Sequence, residues 1–258
     1  MDFKGKVVVI TGASGGIGAC CALHFAKLSA KLALVGRNEE KLKEIIDHCE
    51  NISDYKPLKI IADISKEDDN SRIITETINF FGKIDVLVNN AGIVLMAGLM
   101  DDITNYDRIS ATNIRGTYLL TQRAIPHLIE TKGNIVIVSS ILSSVPMPAL
   151  MPYCMTKAAL DMFTKCVALE MAPKGVRVNS VNPGPVATNL FVAAGVSDDL
   201  NKSLYENMKE AMPLRKIATG DDIANMVVFL ASDRASCITG SFHVMDCGLH
   251  LGDPIIRA

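Results

Sequence analysis

Thr11-Gly12-Ala13-Ser14-Gly15-Gly16-Ile17-Gly18 decides the fold, because it joins a nearly unbroken apolar run, Lys6–Thr11, to a helical pattern over Gly16–Leu28. A strand that turns sharply into a helix leaves the unbonded N–H groups of the helix start at the turn, where they attract an anion. Glycines at 12, 16 and 18 let the backbone come close to such a group, a pyrophosphate above all. The spacing is Gly-x3-Gly-x-Gly, not the GxGxxG of the common dinucleotide turn. Taken alone, the segment also reads as a tight strand-to-helix connection, and the rest of the chain must separate the two readings.

Working outward, Lys31–Val35, Leu58–Ala62, Asp85–Asn89, Asn134–Ser139, Val176–Val181 and Phe242–Met245 repeat the first run. Each is apolar at nearly every position, the pattern of strands covered on both faces. Helical spacing lies between them, as in Asn38–Glu50, where Asn38 is placed to cap and Glu39 and Glu40 bring negative charge to the first turn. Seven strands alternating with helices predict a doubly wound parallel sheet with helices on both faces. No linker or repeat divides the chain, so a single domain over residues 1–258 is expected, with 190–214 as an inserted flap between two core strands.

The 258 residues, 49% of them hydrophobic, can line one sizeable core. A formal net charge of −2 leaves no excess of cations for a phosphate backbone or an anionic membrane surface, so neither nucleic acid nor membrane is an expected partner. The seven cysteines include adjacent Cys20 and Cys21 and no CxxC pair, as for reduced thiols in the cytoplasm. His24, His48, His127, His243 and His250 are scattered, and no metal is expected. The start, Met1 to Lys6, lacks the order of a signal peptide, and the apolar stretch Ile93–Met100 is too short to cross a bilayer.

Asn89-Asn90-Ala91-Gly92 follows the fourth strand, and Tyr153-x3-Lys157 follows the fifth, in Tyr-Cys-Met-Thr-Lys-Ala-Ala-Leu. With the glycine turn, this ordered set resembles the short-chain dehydrogenase/reductase family, from Lys6 to Gly248. The resemblance implies a Rossmann-like domain that binds a nicotinamide dinucleotide and exchanges hydride between a carbonyl and a secondary alcohol. On a helix, Tyr153 and Lys157 share one face. A free phenol titrates near 10, so an ammonium beside Tyr153, with the positive nicotinamide ring, is expected to favour the phenolate and fit it for general acid–base work.

The resemblance gives Ser140, thirteen residues before Tyr153, a hydrogen bond to the substrate oxygen, on which charge develops. Ser139, Ser143 and Ser144 are rivals; strand alternation turns Ser139 to the opposite face, and the spacing favours Ser140. Asn113, in Ala-Thr-Asn-Ile-Arg-Gly, resembles the family asparagine that holds a water between the lysine and solvent. By itself it also reads as a polar residue satisfying helix backbone.

For the cofactor, the second strand ends in Val35-Gly36-Arg37-Asn38, with no carboxylate at Gly36 to hold both ribose hydroxyls. Arg37 suits a 2′-phosphate, so NADP(H) is favoured over NAD(H). Gly15 stands where many phosphate-preferring relatives carry a basic residue, and Arg37 can equally be a solvated surface charge. Ser14, Ile17 and Asn38 join the expected contacts around Gly12, Gly16 and Gly18, and the resemblance implies that Tyr153 and Lys157 also touch the cofactor. Asp63 and Ile64 resemble the residues beside adenine, although Asp63 or Ser65 can instead cap the next helix. Asn90, Ala91 and Gly92 resemble the backbone beside the ribose, whereas Asn89 is assigned to the sheet. Pro183, Gly184, Val186 and Thr188 resemble the turn over the nicotinamide; a generic Pro-Gly turn is the alternative.

Met96, Val145, Met147 and Met151, with Phe191, Val192, Met208 and Met212, suggest an apolar pocket for a lipophilic carbonyl or alcohol, or else ordinary core. Two other functions stay open: an NAD-dependent alcohol dehydrogenase, and a dinucleotide-binding sensor or scaffold without catalysis, against which the intact Ser140, Tyr153 and Lys157 argue. The resemblance implies a homodimer or homotetramer built through helices at Thr104–Glu130 and Pro152–Met171. Met245-Asp246-Cys247-Gly248 departs from the usual Asp-Gly-Gly ending.

Overall fold

A computed structural model describes residues 2–188, 205–210 and 212–252. The chain alternates β1 (Val7–Thr11), α1 (Gly16–Lys27), β2 (Lys31–Gly36), α2 (Glu39–Glu50), β3 (Leu58–Ile61), α3 (Glu67–Phe81) and β4 (Val86–Asn89). It continues through α4 (Ile103–Ser110), a π-helical turn (Ala111–Gly116), α5 (Thr117–Thr131), β5 (Asn134–Val138), α6 (Met151–Met171) and β6 (Arg177–Pro183). Two-residue strands β7 (Val186–Ala187) and β8 (Ala218–Thr219) precede α7 (Gly220–Ala231) and β9 (Phe242–Met245).

Seven strands form one parallel sheet in the order β3-β2-β1-β4-β5-β6-β9. All seven expected strands are in it; β6 alone runs two residues past its expected end at Val181, to Pro183. All five residues of β1 are buried. Val8 and Ile10 point to one face, with Phe25 of α1, Leu42 of α2 and Val227 of α7, while Val9 points to the other, with Ile73 of α3, Leu120 of α5 and Leu160 of α6. Burial on both faces is why the runs carry no polar alternation. This is a Rossmann-like doubly wound fold, and the order reverses at β1 and β4, whose carboxyl ends open a crevice where ligands bind.

Local signals account for most boundaries. Asn38 caps α2 as expected, its Oδ1 accepting from the Lys41 N–H at 2.9 Å. Neither Asp63 nor Ser65 caps α3, which begins after Lys66; Asp63 Oδ1 accepts instead from the N–H and hydroxyl of Ser65, at 3.0 and 2.8 Å. The expected uninterrupted helix Thr104–Glu130 is also corrected, because a π turn over Ala111–Gly116 separates α4 from α5. Its cause is tertiary: Asn113 bonds the main chain of Ile93, and a side chain on Gly116 would meet the Ile64 carbonyl oxygen at 2.5 Å.

Strands β7 and β8 pair in parallel, Val186 with Ala218 and Ala187 with Thr219, and are too short for any periodicity to show. Of the expected flap, residues 205–210 are helical, whereas Phe191 and Val192 lie outside the described residues. No described helix is long and apolar enough to cross a membrane.

Candidate active site

The glycine turn is closed by the neighbouring strand. Asn90 Nδ2 donates to the carbonyls of Thr11 and Gly12, at 2.8 and 3.3 Å, and Thr11 Oγ1 accepts from the N–H groups of Asn90 and Ala91, both at 3.0 Å. That stapling leaves no room for side chains. A Cβ on Gly12, which has φ +66°, would lie 2.8 Å from Asn90 Nδ2, and one on Gly18 would fall on the Gly12 carbonyl oxygen. Gly16 faces the Thr188 side chain, 3.6 Å from where its Cβ would stand, and Ser14 packs beside Gly36. No side chain caps α1, so its first N–H groups point into this narrow cradle. A bare helix start between glycines fits a pyrophosphate, and the residues present therefore suit a dinucleotide. Ile17 turns the other way and packs on the core.

At the carboxyl ends of β2 and β3, exposed Arg37 stands 3.8 Å from Asp63 Oδ2. The adjoining Ile64 is buried, and its carbonyl accepts from Asn70 at 2.6 Å. Asn38 spends its side chain on the α2 cap. Asn89 is buried and donates to Thr121 Oγ1 at 2.9 Å, tying β4 to α5.

Ser140, Tyr153 and Lys157 converge next to this crevice. Ser140 leaves the end of β5 in extended backbone, and its Oγ accepts from the Leu142 N–H at 3.1 Å, which leaves the hydroxyl proton for another partner. The Ser140 hydroxyl stands beside the Tyr153 phenol, where it favours the phenolate. Ser139 faces away as alternation requires, its hydroxyl on the Lys157 carbonyl at 3.3 Å. Buried Lys157 donates from Nζ to the Val138 carbonyl at 2.8 Å, and Nζ lies 5.4 Å from the Tyr153 ring centroid.

Asn113 is buried, accepts from the Ile93 N–H at 2.9 Å, and donates to the Ile93 carbonyl at 3.0 Å and Thr156 Oγ1 at 3.2 Å. Gly92 lies between Asn113 and Lys157, since its Cβ would stand 3.3 Å from Asn113 Oδ1 and 3.8 Å from Lys157 Nζ. The π turn that aims Asn113 inward carries no sequence signal beyond Asn113 itself.

The charge states differ from the simple expectation. Burial pushes the Tyr153 phenol up to about 12, against the Ser140 hydroxyl, with a smaller push from Cys154. Burial likewise lowers the Lys157 ammonium to about 8, opposed by the negative charge of Asp161. Lys157 therefore does not by itself draw the phenol below 10: its ammonium is directed at the Val138 carbonyl, and loss of water outweighs it.

Between about 8 and about 10.4 the unfolded chain holds the Lys157 proton that the folded chain has lost, so stability from this group rises with pH across that window. Tyr153 acts oppositely, costing stability as pH climbs from about 10 to about 12. Lys157→Met should thus gain most over wild type near pH 7, with the gain shrinking between pH 8 and 10 in urea unfolding. A difference constant over that range would refute it.

The Pro183–Thr188 turn reaches the glycine turn, with the Thr188 side chain beside Gly16. A Cβ on Gly184 would stand 2.6 Å from Asp246 Cβ, so the turn lies against β9's exit. Sequence reasoning missed Tyr205, whose hydroxyl donates to the carbonyls of Val186 at 2.8 Å and Thr188 at 3.1 Å. A lone tyrosine in a stretch of mixed polarity offered no signal. Among the pocket candidates Met212 is buried, Met151, Val145 and Met208 are half-buried, and Met96 and Met147 are exposed. Among the described residues no group of three or more His, Cys, Asp or Glu side chains is placed to hold a metal.

Comparison with known proteins agrees with this geometry. The family model described as Enoyl-(Acyl carrier protein) reductase matches residues 12–250. Glucose 1-dehydrogenase of Gluconobacter oxydans is 34% identical over 96% of this chain and 93% of its own length. L-xylulose reductase of Caenorhabditis elegans is 36% identical over 96% of both chains. A short-chain dehydrogenase/reductase of unknown function from Caenorhabditis elegans, solved with cofactor, superposes with a TM-score of 0.94 at 36% identity, covering 98% of this chain and 97% of that one. With its sheet order, glycine turn and Ser-Tyr-Lys cluster, the chain belongs to the short-chain dehydrogenase/reductase family, as a NAD(P)-dependent oxidoreductase acting between carbonyl and alcohol.

Proposed function

We propose that this enzyme interconverts an apolar ketone or aldehyde and its alcohol with NADP(H) favoured over NAD(H), using Tyr153 as proton donor and acceptor. The observation that carries the reading is the meeting of Ser140, Tyr153 and Lys157 beside the crevice above β1 and β4. The bound nicotinamide supplies or takes the hydride. Ser140 offers its hydroxyl proton to the substrate oxygen, and Tyr153 gives up its own proton as that oxygen gains charge. A phenol is a stronger acid than an aliphatic alcohol, so the transfer runs downhill in reduction and is reversed in oxidation. Lys157, held by the Val138 carbonyl, keeps a cation beside the phenol when phenolate forms, and Asn113 lies next along the buried polar path.

In the cofactor cradle, Gly12, Ser14, Gly16, Gly18 and the backbone N–H of Ile17, whose side chain packs on the core, hold the pyrophosphate end, while Asn90, Ala91 and Gly92 run beside the ribose. Arg37 supports the NADP(H) preference, because it projects free of the core where β2 ends without a carboxylate. Asp63, only 3.8 Å from Arg37, competes for the guanidinium and favours the second reading, comparable use of NAD(H). Arg37→Ala should raise KM for NADPH about tenfold or more, the worth of a charge-assisted hydrogen bond, and leave KM for NADH unchanged. An unaltered ratio of the two constants would end the reading of Arg37 as a phosphate clamp.

Exposed Met147 and half-buried Val145 and Met151 near the reacting centre support an apolar substrate. Turnover of NADPH with a panel of lipophilic ketones, sugars and aldehydes tests the reaction and the substrate class together; turnover confined to sugars would overturn the apolar reading. A homo-oligomer is supported by Tyr118 on α5 and Met155, Met162 and Leu169 on α6, which stand exposed on adjoining helices, Leu169 at 81%. Met162→Lys combined with Leu169→Glu should lower the mass seen by light scattering to that of one chain, and an unchanged mass would remove this face as the interface.

A further inference from the structure

Behind the reacting serine lies a polar cluster that the proposed reaction does not use. Asn182, at the end of β6, is buried, and its Nδ2 lies 2.9 and 3.1 Å from the two carboxylate oxygens of Asp161, 3.2 Å from the Ser140 carbonyl and 3.2 Å from Ser143 Oγ. Its Oδ1 accepts from the Ser180 hydroxyl at 2.6 Å. The amide has one possible orientation, because a carboxylate accepts and never donates, so the NH2 must face Asp161. Three elements are thereby joined: β6 through Asn182, α6 through Asp161, and the Ser140–Ser143 turn.

We infer that Asp161 and Asn182 are positioning residues, in which one buried amide anchored on a carboxylate fixes the Ser140–Ser143 turn and with it the reacting hydroxyl. Ser140 is held by its main chain at both faces. Its carbonyl accepts from the Ser143 N–H at 3.1 Å as well as from Asn182, while its side chain accepts from Leu142. The turn's own bonds define its shape, and Asn182, through Asp161, adds a buried polar tie to the helix that carries Tyr153 and Lys157, beside the Ser140–Tyr153 contact itself. Without the amide, the Ser140 main chain loses its polar anchor to α6 and the contact of the two hydroxyls alone must hold the register, and a displacement of an ångström between reacting groups costs on the order of 10²-fold in rate.

Asp161 has a second effect by charge. Tyr153, Lys157 and Asp161 recur at intervals of four and share one face of α6. Among the described residues Asp161 joins no ion pair, and its field falls on Lys157. The groups facing Lys157 are Tyr153 and Asp161 on its own helix, the Val138 carbonyl on β5, and neutral Asn113 on the π turn. Asp161 thus keeps the ammonium charged where burial works against it.

The kinetic arm of the test rests on the proposed carbonyl reaction; the other arms do not. In protein carrying 13C-labelled lysine, the Lys157 signal is the one lost in Lys157→Met. Asp161→Asn, which keeps an acceptor for Asn182, should lower the Lys157 pKa by about one unit. Asn182→Ala should displace the Ser140–Ser143 turn in a crystal structure, lower kcat for NADPH-dependent carbonyl reduction about tenfold, leave KM for NADPH unchanged and leave the Lys157 titration unmoved. Should Asn182→Ala fail to fold, Asn182→Ser is measured in its place. An unmoved Lys157 titration in Asp161→Asn, or an undisplaced turn with native kcat in the Asn182 variant, overturns the inference. A protein that reduces no carbonyl sinks the proposed reaction instead, and the titration and the turn's position still decide this one.

Discussion

Tyr153→Phe is expected to lower kcat for NADPH-dependent carbonyl reduction by roughly 10²–10⁴-fold, the range for a positioned general acid, and to leave NADPH affinity nearly unchanged. The substitution removes one oxygen from the end of the ring. In this structure that oxygen meets the Ser140 hydroxyl, and burial keeps its proton in place up to about 12. The ring itself, on the first turn of α6, still fills its place, so the fold and the glycine cradle persist. Steady-state kinetics with calorimetric titration of NADPH separates the two effects. Native turnover in the variant would take the phenol out of the reaction, and lost NADPH binding would make Tyr153 a cofactor ligand first.

Gly18→Ala is expected to abolish the thermal stabilisation given by NADPH and to destabilise the free protein by about 1–3 kcal/mol, as overpacking does. The added methyl would fall on the Gly12 carbonyl oxygen and within 2.5 Å of Asn90 Nδ2. Neither is the far end of a flexible side chain; Asn90 is bonded to Thr11 and Gly12 on the opposite strand, so the turn itself must open. Gly15→Ala is the control. That position is exposed, a Cβ there meets nothing within 4 Å, and its backbone is extended. A Gly18→Ala protein with native NADPH stabilisation would show that the cradle does not need this close approach.

Most of the sheet was legible because its signal is local. A strand covered on both faces must be apolar at nearly every position, and Val7–Thr11 and Asn134–Val138, each five buried residues with a single polar one at an end, show this. Asn38 was readable as a cap because the bond it makes reaches only to Lys41. What the chain did not show depends on contacts between distant residues. The π turn exists because Asn113 answers Ile93, twenty residues away, and Tyr205 closes on Val186 and Thr188 from a stretch with no period. Asp63 and Ser65 do not cap because they are bonded to each other, Asp63 Oδ1 accepting from the N–H and hydroxyl of Ser65.

The sequence by itself determined the alternation of the seven sheet strands with helices and the glycine turn, which residue type and short spacing set, and its resemblance to the family singled out Ser140, Tyr153 and Lys157. Only the tertiary structure decided their charge and their support. Desolvation of half-buried Tyr153 and buried Lys157, the Val138 carbonyl that receives the ammonium, and the Asp161–Asn182 pair behind Ser140 arise where α6 meets β5 and β6. Desolvation depends on everything packed around a group, and no spacing along one chain segment encodes it.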